Sequence, residues 1–397
     1  MLTPSDFRGA SNPMAQYYGR FRVADRVLLT GHSHQAWPDV GLEAQQQAWL
    51  DAAEHVDDKW ERAFAQAQRV RHGFAALLGD HPDNIALGQN THELVVRFLS
   101  ALPLRDRPCL VTTDAEFHTI RRQLARLAEE RIEVIRVPAA PADAIAERLS
   151  RAVTDRTAAV LVSAVLFSNA HIVPGLTGVL DACRRVGAEL LVDAYHALNV
   201  VPFTVAAEGL EEAFVTGGGY KYCQLGEGNC FLRIPPGRGW RPVVTGWFAE
   251  FDRLAASGDG VPYGAGASRF AGATYDPTSH YRAAAVFDFF QRQALSPELL
   301  REVNQEHLRL LADGFDALNA DPSIITRDRG VPLQRLGGFL ALRSPVAGPL
   351  VGALRRNGVW ADHRDDALRL GPAPYLTHHQ LRSAVEALGE AIRTVRR

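Results

Sequence analysis

One lysine, Lys221, lies in the glycine-rich stretch GGGYKYCQLGEGN at residues 217–229. A lysine amine becomes a nucleophile towards aldehydes when burial or a neighbouring cation lowers its pKa. Glycines beside Lys221 would allow the backbone to approach a bulky, flat ligand closely. Because most lysines are solvated, the stretch by itself is also compatible with an ordinary surface residue.

Asp193 is a second candidate, in the stretch LLVDAYHALNVVPF at residues 190–203. A carboxylate at the end of a buried apolar strand costs several kcal/mol unless it meets a cation. A protonated nitrogen in a heteroaromatic ring would be such a partner. His196 follows three positions later, where its ring would pack beside the heterocycle or tune the carboxylate. A helix N-cap at Asp193 and an ordinary core position for His196 are open alternatives.

Two polar residues, Asn90 and Thr91, directly precede an apolar helical pattern in GQNTHELVVRFLS at residues 88–100. Asparagine and threonine commonly cap helices. A helix N-terminus with free amide groups is also a phosphate-binding site. The residues alone leave both interpretations open.

An aromatic residue and an amide follow two further apolar stretches. Phe117 and His118 stand in TTDAEFHTI, where an aromatic ring would stack on a flat heterocycle. Ser168 and Asn169 stand in SAVLFSNAHIVPG, where a short amide would bond a phenolate oxygen. Core packing for Phe117 and a turn at Asn169 are the ordinary alternatives.

The elements that would hold these residues alternate between strand and helix. Apolar, β-branched segments predict strands at 107–114, 132–138, 158–167 and 188–196, with helices between them at 116–130, 143–153 and 178–187. This order predicts an α/β fold with a mostly parallel sheet flanked by helices on both faces. Ligands of such sheets bind at the carboxyl ends of the strands. We therefore expect Phe117, Asn169, Asp193 and Lys221 to converge on one crevice.

The two ends of the chain differ from its middle. Helical patterns cover 41–79, 296–320 and 377–395, and short strands are predicted at 337–344 and 368–374. We therefore predict a large domain of residues 46–292 and a smaller C-terminal α/β domain of residues 293–397. The N-terminal segment, residues 1–45, is predicted to contribute to the smaller domain and to the active site.

The composition is typical of a soluble globular protein, with 47% hydrophobic residues, 22% charged residues and a formal net charge of -2. This balance does not favour binding to nucleic acid. No apolar stretch reaches the roughly 20 residues of a bilayer span. The N-terminus lacks the pattern of a secretory signal. We therefore predict no membrane association, a cytoplasmic location and four reduced cysteines.

Two histidine pairs raise the question of a metal ion. His32 and His34, and likewise His378 and His379, lack carboxylate or thiol neighbours at ligand spacing. No metal site is therefore predicted, and His32 and His34 are expected to face a substrate pocket instead.

The order Asn169, Asp193, Lys221 and the strings VDAYHALNVVPF and GGGYKYCQLGEGN resemble a known group of enzymes. They are similar to the pyridoxal-phosphate enzymes of the class V aminotransferase group, and to kynureninases most of all. The resemblance implies pyridoxal 5'-phosphate (PLP) as cofactor, the PLP-dependent transferase fold of type I and a small amino-acid substrate. It also implies a homodimer with shared active sites.

The same resemblance implies roles for individual residues around the cofactor ring. Lys221 would bind the cofactor covalently, Asp193 would meet the pyridine nitrogen and Phe117 would cover the ring. His196 matches the histidine of an Asp-x-x-His pattern, and Tyr220, before the lysine, is the expected proton donor. The predicted catalytic residues are Lys221, Asp193, His196 and Tyr220.

The phosphate and the substrate complete the residues that the resemblance implies. Thr91, the amides of His92 and Glu93, the Tyr220 hydroxyl and Trp247 in the string TGWF would bind the phosphate, while Asn169 and Thr274 would lie near the cofactor. Arg369, in the late segment NGVWADHRDDALRLGPAPYLT, would bind the substrate carboxylate. His32, Ser33 and His34 stand where kynureninases carry another string, on the substrate side.

The resemblance favours a kynureninase-type reaction, in which water cleaves the Cβ–Cγ bond of a γ-keto amino acid and gives alanine. A class V aminotransferase, or a lyase or epimerase on another amino acid, is the alternative. A cysteine desulfurase is disfavoured because no cysteine follows Cys230. A non-catalytic PLP-binding regulator is disfavoured because the sequence shows no appended DNA-binding domain.

Overall fold

A computed structural model describes residues 2–9, 11–253 and 260–395. The helices are α1 (Val40–His55), α2 (Lys59–Leu78), α3 (Thr91–Ala101), α4 (His118–Ala128), α5 (Ile145–Ala152), α6 (Leu176–Val186), α7 (Thr278–Arg292), α8 (Pro297–Ala317), α9 (Ala347–Arg356) and α10 (His378–Val395). The strands are β1 (Val27–Leu28), β2 (Ile85–Gly88), β3 (Cys109–Thr113), β4 (Glu133–Val137), β5 (Thr157–Ser163), β6 (Glu189–Asp193), β7 (Phe214–Gly218), β8 (Cys230–Arg233), β9 (Thr326–Arg327), β10 (Leu340–Arg343), β11 (Val359–Trp360), β12 (Asp362–Arg364) and β13 (Ala367–Leu370).

The central sheet has seven strands in the order β2-β8-β7-β6-β5-β3-β4. Strands β7, β6, β5, β3 and β4 run parallel, whereas β8 is antiparallel to both of its neighbours. Every residue of β3, β5, β6 and β7 is buried, which explains their continuous apolar sequences. The register pairs Ser163 with Asp193 and Asp193 with Thr216, so that β5 and β6 end level with one another, while β7 continues to Gly218.

The first strand and the C-terminal third of the chain form a second sheet region. Strands β12, β13, β10 and β9 make an antiparallel sheet in that order. Strand β1 pairs in parallel with β11, and Thr30 forms an isolated bridge with Gly371. These pairings hold the N-terminal segment against the C-terminal third of the chain, at residues that shortly precede His32.

The sequence-based prediction of a mostly parallel sheet flanked by helices is confirmed. Two details differ from the sequence analysis. The helical pattern at 41–79 is interrupted at Val56–Asp58, where Val56 adopts a φ of 48°. The strand expected at 158–167 ends at Ser163. The division into domains stays a prediction. None of the described helices is long and apolar enough to cross a membrane.

Candidate active site

A cavity of about 270 Å³ lies at the carboxyl ends of the central strands, and we call it the active-site cavity. It is lined by Phe117 after β3, Ser163 at the end of β5, Asp193 at the end of β6 and Lys221 after β7. Its volume is near the lower end of the range of about 300–1,000 Å³ that is typical of ligand pockets. The structure therefore brings three of the four strand-end candidates together, and the fourth, Asn169, lies elsewhere.

The amine of Lys221 lies in the interior of the protein. The residue is 5% exposed, and its Nζ lies 2.8 Å from Nε2 of His196. Nζ also lies 4.4 Å from the ring centroid of Tyr195 and 5.4 Å from that of Phe117. Burial lowers the pKa of Lys221 to about 7, although the charge of Asp193 opposes the shift. A large share of the amine is therefore unprotonated near neutral pH and able to attack a carbonyl carbon.

The glycines before Lys221 are required by packing within the protein. A Cβ atom at Gly218 would overlap the side chain of Tyr195, and one at Gly219 would overlap Leu225. Gly228 lines the cavity and has a φ of 84°, a backbone conformation that favours glycine. Packing within the protein therefore accounts for Gly218 and Gly219. For Gly228, which lies in the cavity wall, the expected close approach of the backbone to a ligand stays a prediction.

Asp193 is a buried carboxyl without a charged partner of its own. It is 9% exposed, and its Oδ1 accepts a hydrogen bond from the backbone amide of Tyr195 at 2.9 Å. Burial raises its pKa, while that amide and the charge of Lys221 act in the opposite direction. Asp193 forms no ion pair within the described part of the chain. Such a carboxyl is costly unless a cation meets it, so the position suits a ligand with a protonated nitrogen.

A second buried carboxyl, Glu116, lies close to Asp193. Its oxygens accept hydrogen bonds from Ser163 Oγ at 2.6 Å and from Thr113 Oγ1 at 2.7 Å. Burial raises the pKa of Glu116 to about 7, and the neighbouring charge of Asp193 acts in the same direction. Protonation of Glu116 removes one of two neighbouring like charges, which favours ionisation of Asp193, the carboxyl that lines the cavity.

The N-terminus of α3 forms another wall of the cavity. Asn90, Thr91 and His92 line it, and Asn90 Oδ1 accepts a hydrogen bond from the amide of Glu93 at 3.0 Å. The N-terminal amide groups of a helix carry partial positive charge and attract anions. Asn90 is therefore a helix cap, and the helix start that it caps is also suited to a phosphate group.

Tyr220 lines the cavity, and the ring of His34 stacks on it with centroids 4.8 Å apart. His34 Nε2 lies 3.3 Å from Oε1 of Glu227, another lining residue. His34 itself is not among the residues that line the cavity, so its expected contact with a substrate stays a prediction. Burial raises the pKa of Tyr220 to about 12, so that its hydroxyl keeps its proton at neutral pH.

Four residues expected near the cofactor lie outside the walls of this cavity. Glu93 forms an ion pair with Arg97 at 3.2 Å, so only its amide belongs to the start of α3. Thr274 lines a separate cavity of about 280 Å³. Asn169 lines another of about 640 Å³, and Trp247 is 42% exposed. Their contacts with a ligand stay predictions.

Arg369 is 3% exposed and is held by groups of the protein itself. Its Nε and Nη2 donate to the two oxygens of Asp362 at 3.0 and 2.5 Å, and its Nη1 donates to the carbonyl of Phe167 at 2.8 Å. His32 is 0% exposed, with its Nε2 2.7 Å from Asp362 Oδ1. The Ser33 hydroxyl donates to a backbone carbonyl at 3.1 Å. His32 thus contacts Asp362, and it is not among the residues that line the cavity.

Sequence reasoning missed three residues of this region. Tyr195 lies two positions after Asp193 in VDAYH, and Glu116 directly precedes Phe117 in DAEFH. Both residues could have been identified from the sequence, because each lies close to a candidate residue at a strand end. Asp362 carried no local signal, since its partners His32 and Arg369 are brought to it by the pairing of β1 with β11 and of β12 with β13.

Comparisons with known proteins agree with this architecture. No family model matches the chain. The uncharacterized aminotransferase YcbU of Bacillus subtilis (strain 168) is 25% identical over 349 residues, which cover 86% of this chain and 88% of YcbU. Solved structures with a similar fold include a lysine-to-alanine mutant of C-DES with glycine covalently linked to its PLP cofactor, at a TM-score of 0.82 and 17% identity, covering 96% of this chain and 100% of that one.

Two cysteine desulfurases are also similar in structure. The apo enzyme from Thermococcus onnurineus NA1 superposes with a TM-score of 0.81 at 14% identity, covering 99% of both chains. CsdA from Escherichia coli superposes with a TM-score of 0.76 at 17% identity, covering 97% of this chain and 100% of that one. The chain therefore has the PLP-dependent fold of type I, as the sequence analysis predicted.

Proposed function

We propose that the protein is a PLP-dependent enzyme that acts on a small amino acid and binds its cofactor covalently through Lys221. The observation that carries the proposal is the pairing, across one cavity, of a buried lysine with a lowered pKa and a buried aspartate without an ion pair of its own. The fold shared with PLP-containing C-DES supports it.

The residues around the cavity match the parts of the cofactor. Lys221 supplies the amine for the aldehyde, and Asp193 supplies a negative charge for the ring nitrogen. Phe117 and Tyr195, whose rings lie 5.4 and 4.4 Å from Lys221 Nζ, offer flat apolar surface for the ring. The start of α3 at Thr91 offers amide groups for the phosphate.

The protein groups divide the proton transfers between them. When bound, the cofactor stabilises the negative charge that develops at the substrate Cα. Lys221 Nζ, once free, would move the Cα proton, and His196 Nε2, at 2.8 Å from it, would hold the amine in position. Burial keeps His196 neutral by lowering its pKa well below its usual range. Tyr220, which keeps its proton at neutral pH, would give a proton to the substrate side chain.

The reaction that we propose is the kynureninase type, in which a γ-keto amino acid and water give alanine and a carboxylic acid. The support is the resemblance of the strings around Asp193 and Lys221, together with a protonated Tyr220 in the wall of the cavity. A second candidate is transamination, which the 25% identity with the aminotransferase YcbU favours. Desulfuration is not supported, because all four cysteines are buried.

Cofactor binding is tested by reconstitution of the protein with PLP. The sequence holds only two lysines, Lys59 and Lys221, so that a matched control exists. The Lys59→Ala variant is expected to develop the visible absorbance band of the bound cofactor like the wild type, and Lys221→Ala to lack it. An identical band in both variants would refute the assignment of Lys221.

The reaction is tested by product analysis of the reconstituted enzyme with kynurenine, 3-hydroxykynurenine, aspartate and alanine. Alanine formed from kynurenine without any keto acid supports hydrolysis. Turnover that requires a keto-acid acceptor supports transamination instead. The two outcomes separate the candidates, since only hydrolysis consumes water in place of an acceptor.

We further propose that the protein is a homodimer. Large apolar side chains are exposed at two places, with Trp49 at 78% and Leu50 at 57% on α1, and Val243 at 83% and Trp247 at 42% in the segment after β8. Exposed apolar side chains of this size are typical of protein interfaces. In a dimer with shared sites, the partner would supply the predicted Trp247 contact.

A further inference from the structure

The guanidinium of Arg369 is held in a single orientation by two acceptors. The carboxylate of Asp362 takes the pair of N–H groups on Nε and Nη2, at 3.0 and 2.5 Å, and the carbonyl of Phe167 takes one on Nη1 at 2.8 Å. Asp362 is itself fixed by His32, whose Nε2 lies 2.7 Å from Oδ1. We call these three side chains, Arg369, Asp362 and His32, the Arg369 network.

We propose that Asp362, supported by His32, is a positioning residue that orients Arg369 to receive the carboxylate of the amino-acid substrate. This inference rests on the proposed function and extends it beyond the walls of the cavity, because Arg369, Asp362 and His32 are not among the residues that line it.

The hydrogen-bond inventory of the guanidinium supports this role. An arginine has five N–H groups in a fixed planar arrangement. Asp362 and Phe167 use three of them, which leaves one N–H on Nη1 and one on Nη2 without an acceptor among the described residues. These two N–H groups are available to a further acceptor, and N–H groups of a guanidinium bind carboxylates strongly. Phe167, which holds Nη1, lines the active-site cavity.

The charges within the Arg369 network are fixed at neutral pH. Burial by itself raises the pKa of Asp362, but His32 and Arg369 outweigh it and hold the pKa well below its usual range. Burial lowers the pKa of His32 to about 4, so the ring is neutral. His32 Nδ1 has no partner among the described residues, and the ring proton therefore resides on Nε2 and is donated to Asp362.

A shared aromatic surface limits movement of the network. The ring of Phe339 is 0% exposed. Its centroid lies 4.7 Å from the centroid of the His32 ring and 5.6 Å from Cζ of Arg369. An Asp362 with three hydrogen bonds from two packed side chains is a fixed support. If Asp362 instead competed with the substrate carboxylate for Arg369, it would have to break all three of these hydrogen bonds when the substrate binds.

The test compares two probes that differ only in the carboxylate, L-alanine and ethylamine, on the PLP-reconstituted protein. The dissociation constant of each probe is measured from the spectral change of the bound cofactor. For Asp362→Ala we expect the affinity for L-alanine to fall about tenfold or more relative to ethylamine, since Arg369 would lose the two charge-assisted hydrogen bonds that orient it. Tenfold corresponds to about 1.4 kcal/mol.

Three further variants exclude a general loss of structure. Asp366→Ala removes an exposed aspartate that pairs with Arg343 at 3.0 Å, and it is expected to bind both probes like the wild type. His32→Phe removes the donor to Asp362 and is expected to weaken L-alanine binding selectively. His32→Gln restores an N–H donor and is expected to recover most of that affinity.

The outcomes separate this inference from the proposed function. Equal weakening of both probes in Asp362→Ala would overturn the positioning role, and so would tighter binding of L-alanine, which would identify Asp362 as a competitor for Arg369. A wild-type protein that develops no cofactor absorbance would refute the proposed function itself.

Discussion

Replacement of Lys221 by methionine should stabilise the cofactor-free protein, and the gain should depend on pH. Folding shifts the pKa of Lys221 from 10.5 to about 7, mainly through burial. Because one pKa unit corresponds to about 1.4 kcal/mol, the protonated amine destabilises the folded state by up to about 5 kcal/mol. Methionine has a similar length and no charge to desolvate, so that Lys221→Met removes this term.

The sign follows from proton uptake on unfolding. Between about pH 7 and pH 10.5, Lys221 is protonated in the unfolded chain and largely neutral in the folded one. Stability rises with pH wherever the unfolded state binds more protons. The wild type should therefore gain stability through this window, while Lys221→Met should lack that gain. The advantage of the variant is largest below about pH 7 and disappears towards pH 10.5.

Urea unfolding of the cofactor-free protein, followed by circular dichroism at several pH values, measures this difference. Lys59→Met is the matched control, since Lys59 begins α2 and its Nζ lies 6.0 Å from the Trp60 ring. We expect its stability to follow that of the wild type at each pH. An advantage of Lys221→Met that stays constant or grows with pH would contradict a lowered pKa of Lys221 in the folded protein.

Three further variants test other parts of the account. Asp193→Asn should lower turnover by about 100-fold, since it removes the charge proposed to face the ring nitrogen. The measurement is steady-state kinetics with a spectral check of cofactor content, and unchanged turnover would contradict the prediction. Folding raises the pKa of Glu116 from 4.5 to about 7. The contribution of Glu116 to the stability of the folded protein is therefore fully present below pH 4.5 and is lost as the pH rises through about 7. Glu116→Gln should therefore gain about 3 kcal/mol on the wild type between about pH 4.5 and pH 7, and thermal or urea unfolding that shows no such trend would count against the buried pair. Trp49→Glu should convert the proposed dimer to a folded monomer in sedimentation velocity, because it places a charge at an exposed apolar site, and an unchanged sedimentation coefficient would exclude α1 from the interface.

The sequence predicted the sheet because its strands are buried on both faces. Continuous apolar runs such as those of β5 and β6 leave little ambiguity about the element, and the alternating helices determine that the strands are parallel. Strands β2, β7 and β8 were not predicted. Strand β8 is short, follows the turn at Gly228 and runs antiparallel to β7. The pairing of β1 with β11 joins segments more than 300 residues apart, which no local pattern reveals.

Some residues of the candidate site could likewise be predicted from the sequence, and others could not. Phe117, Asp193 and Lys221 were predictable, because each follows a buried strand and the strand ends lie at one edge of the sheet. His32 was expected on the substrate side because it stands where kynureninases carry another string, yet it is 0% exposed, because the pairing of β1 and β11 carries it to Asp362. Long-range contacts of this kind depend on tertiary packing and leave no periodic signature in the sequence.

The most direct measurement locates the cofactor on the chain. The protein is reconstituted with PLP, reduced with borohydride so that the cofactor becomes permanently attached to its lysine, digested, and analysed by mass spectrometry. Since the sequence holds two lysines, the account predicts the added mass on the peptide that contains Lys221 and none on the peptide that contains Lys59. Added mass at Lys59, or at neither lysine, would contradict it.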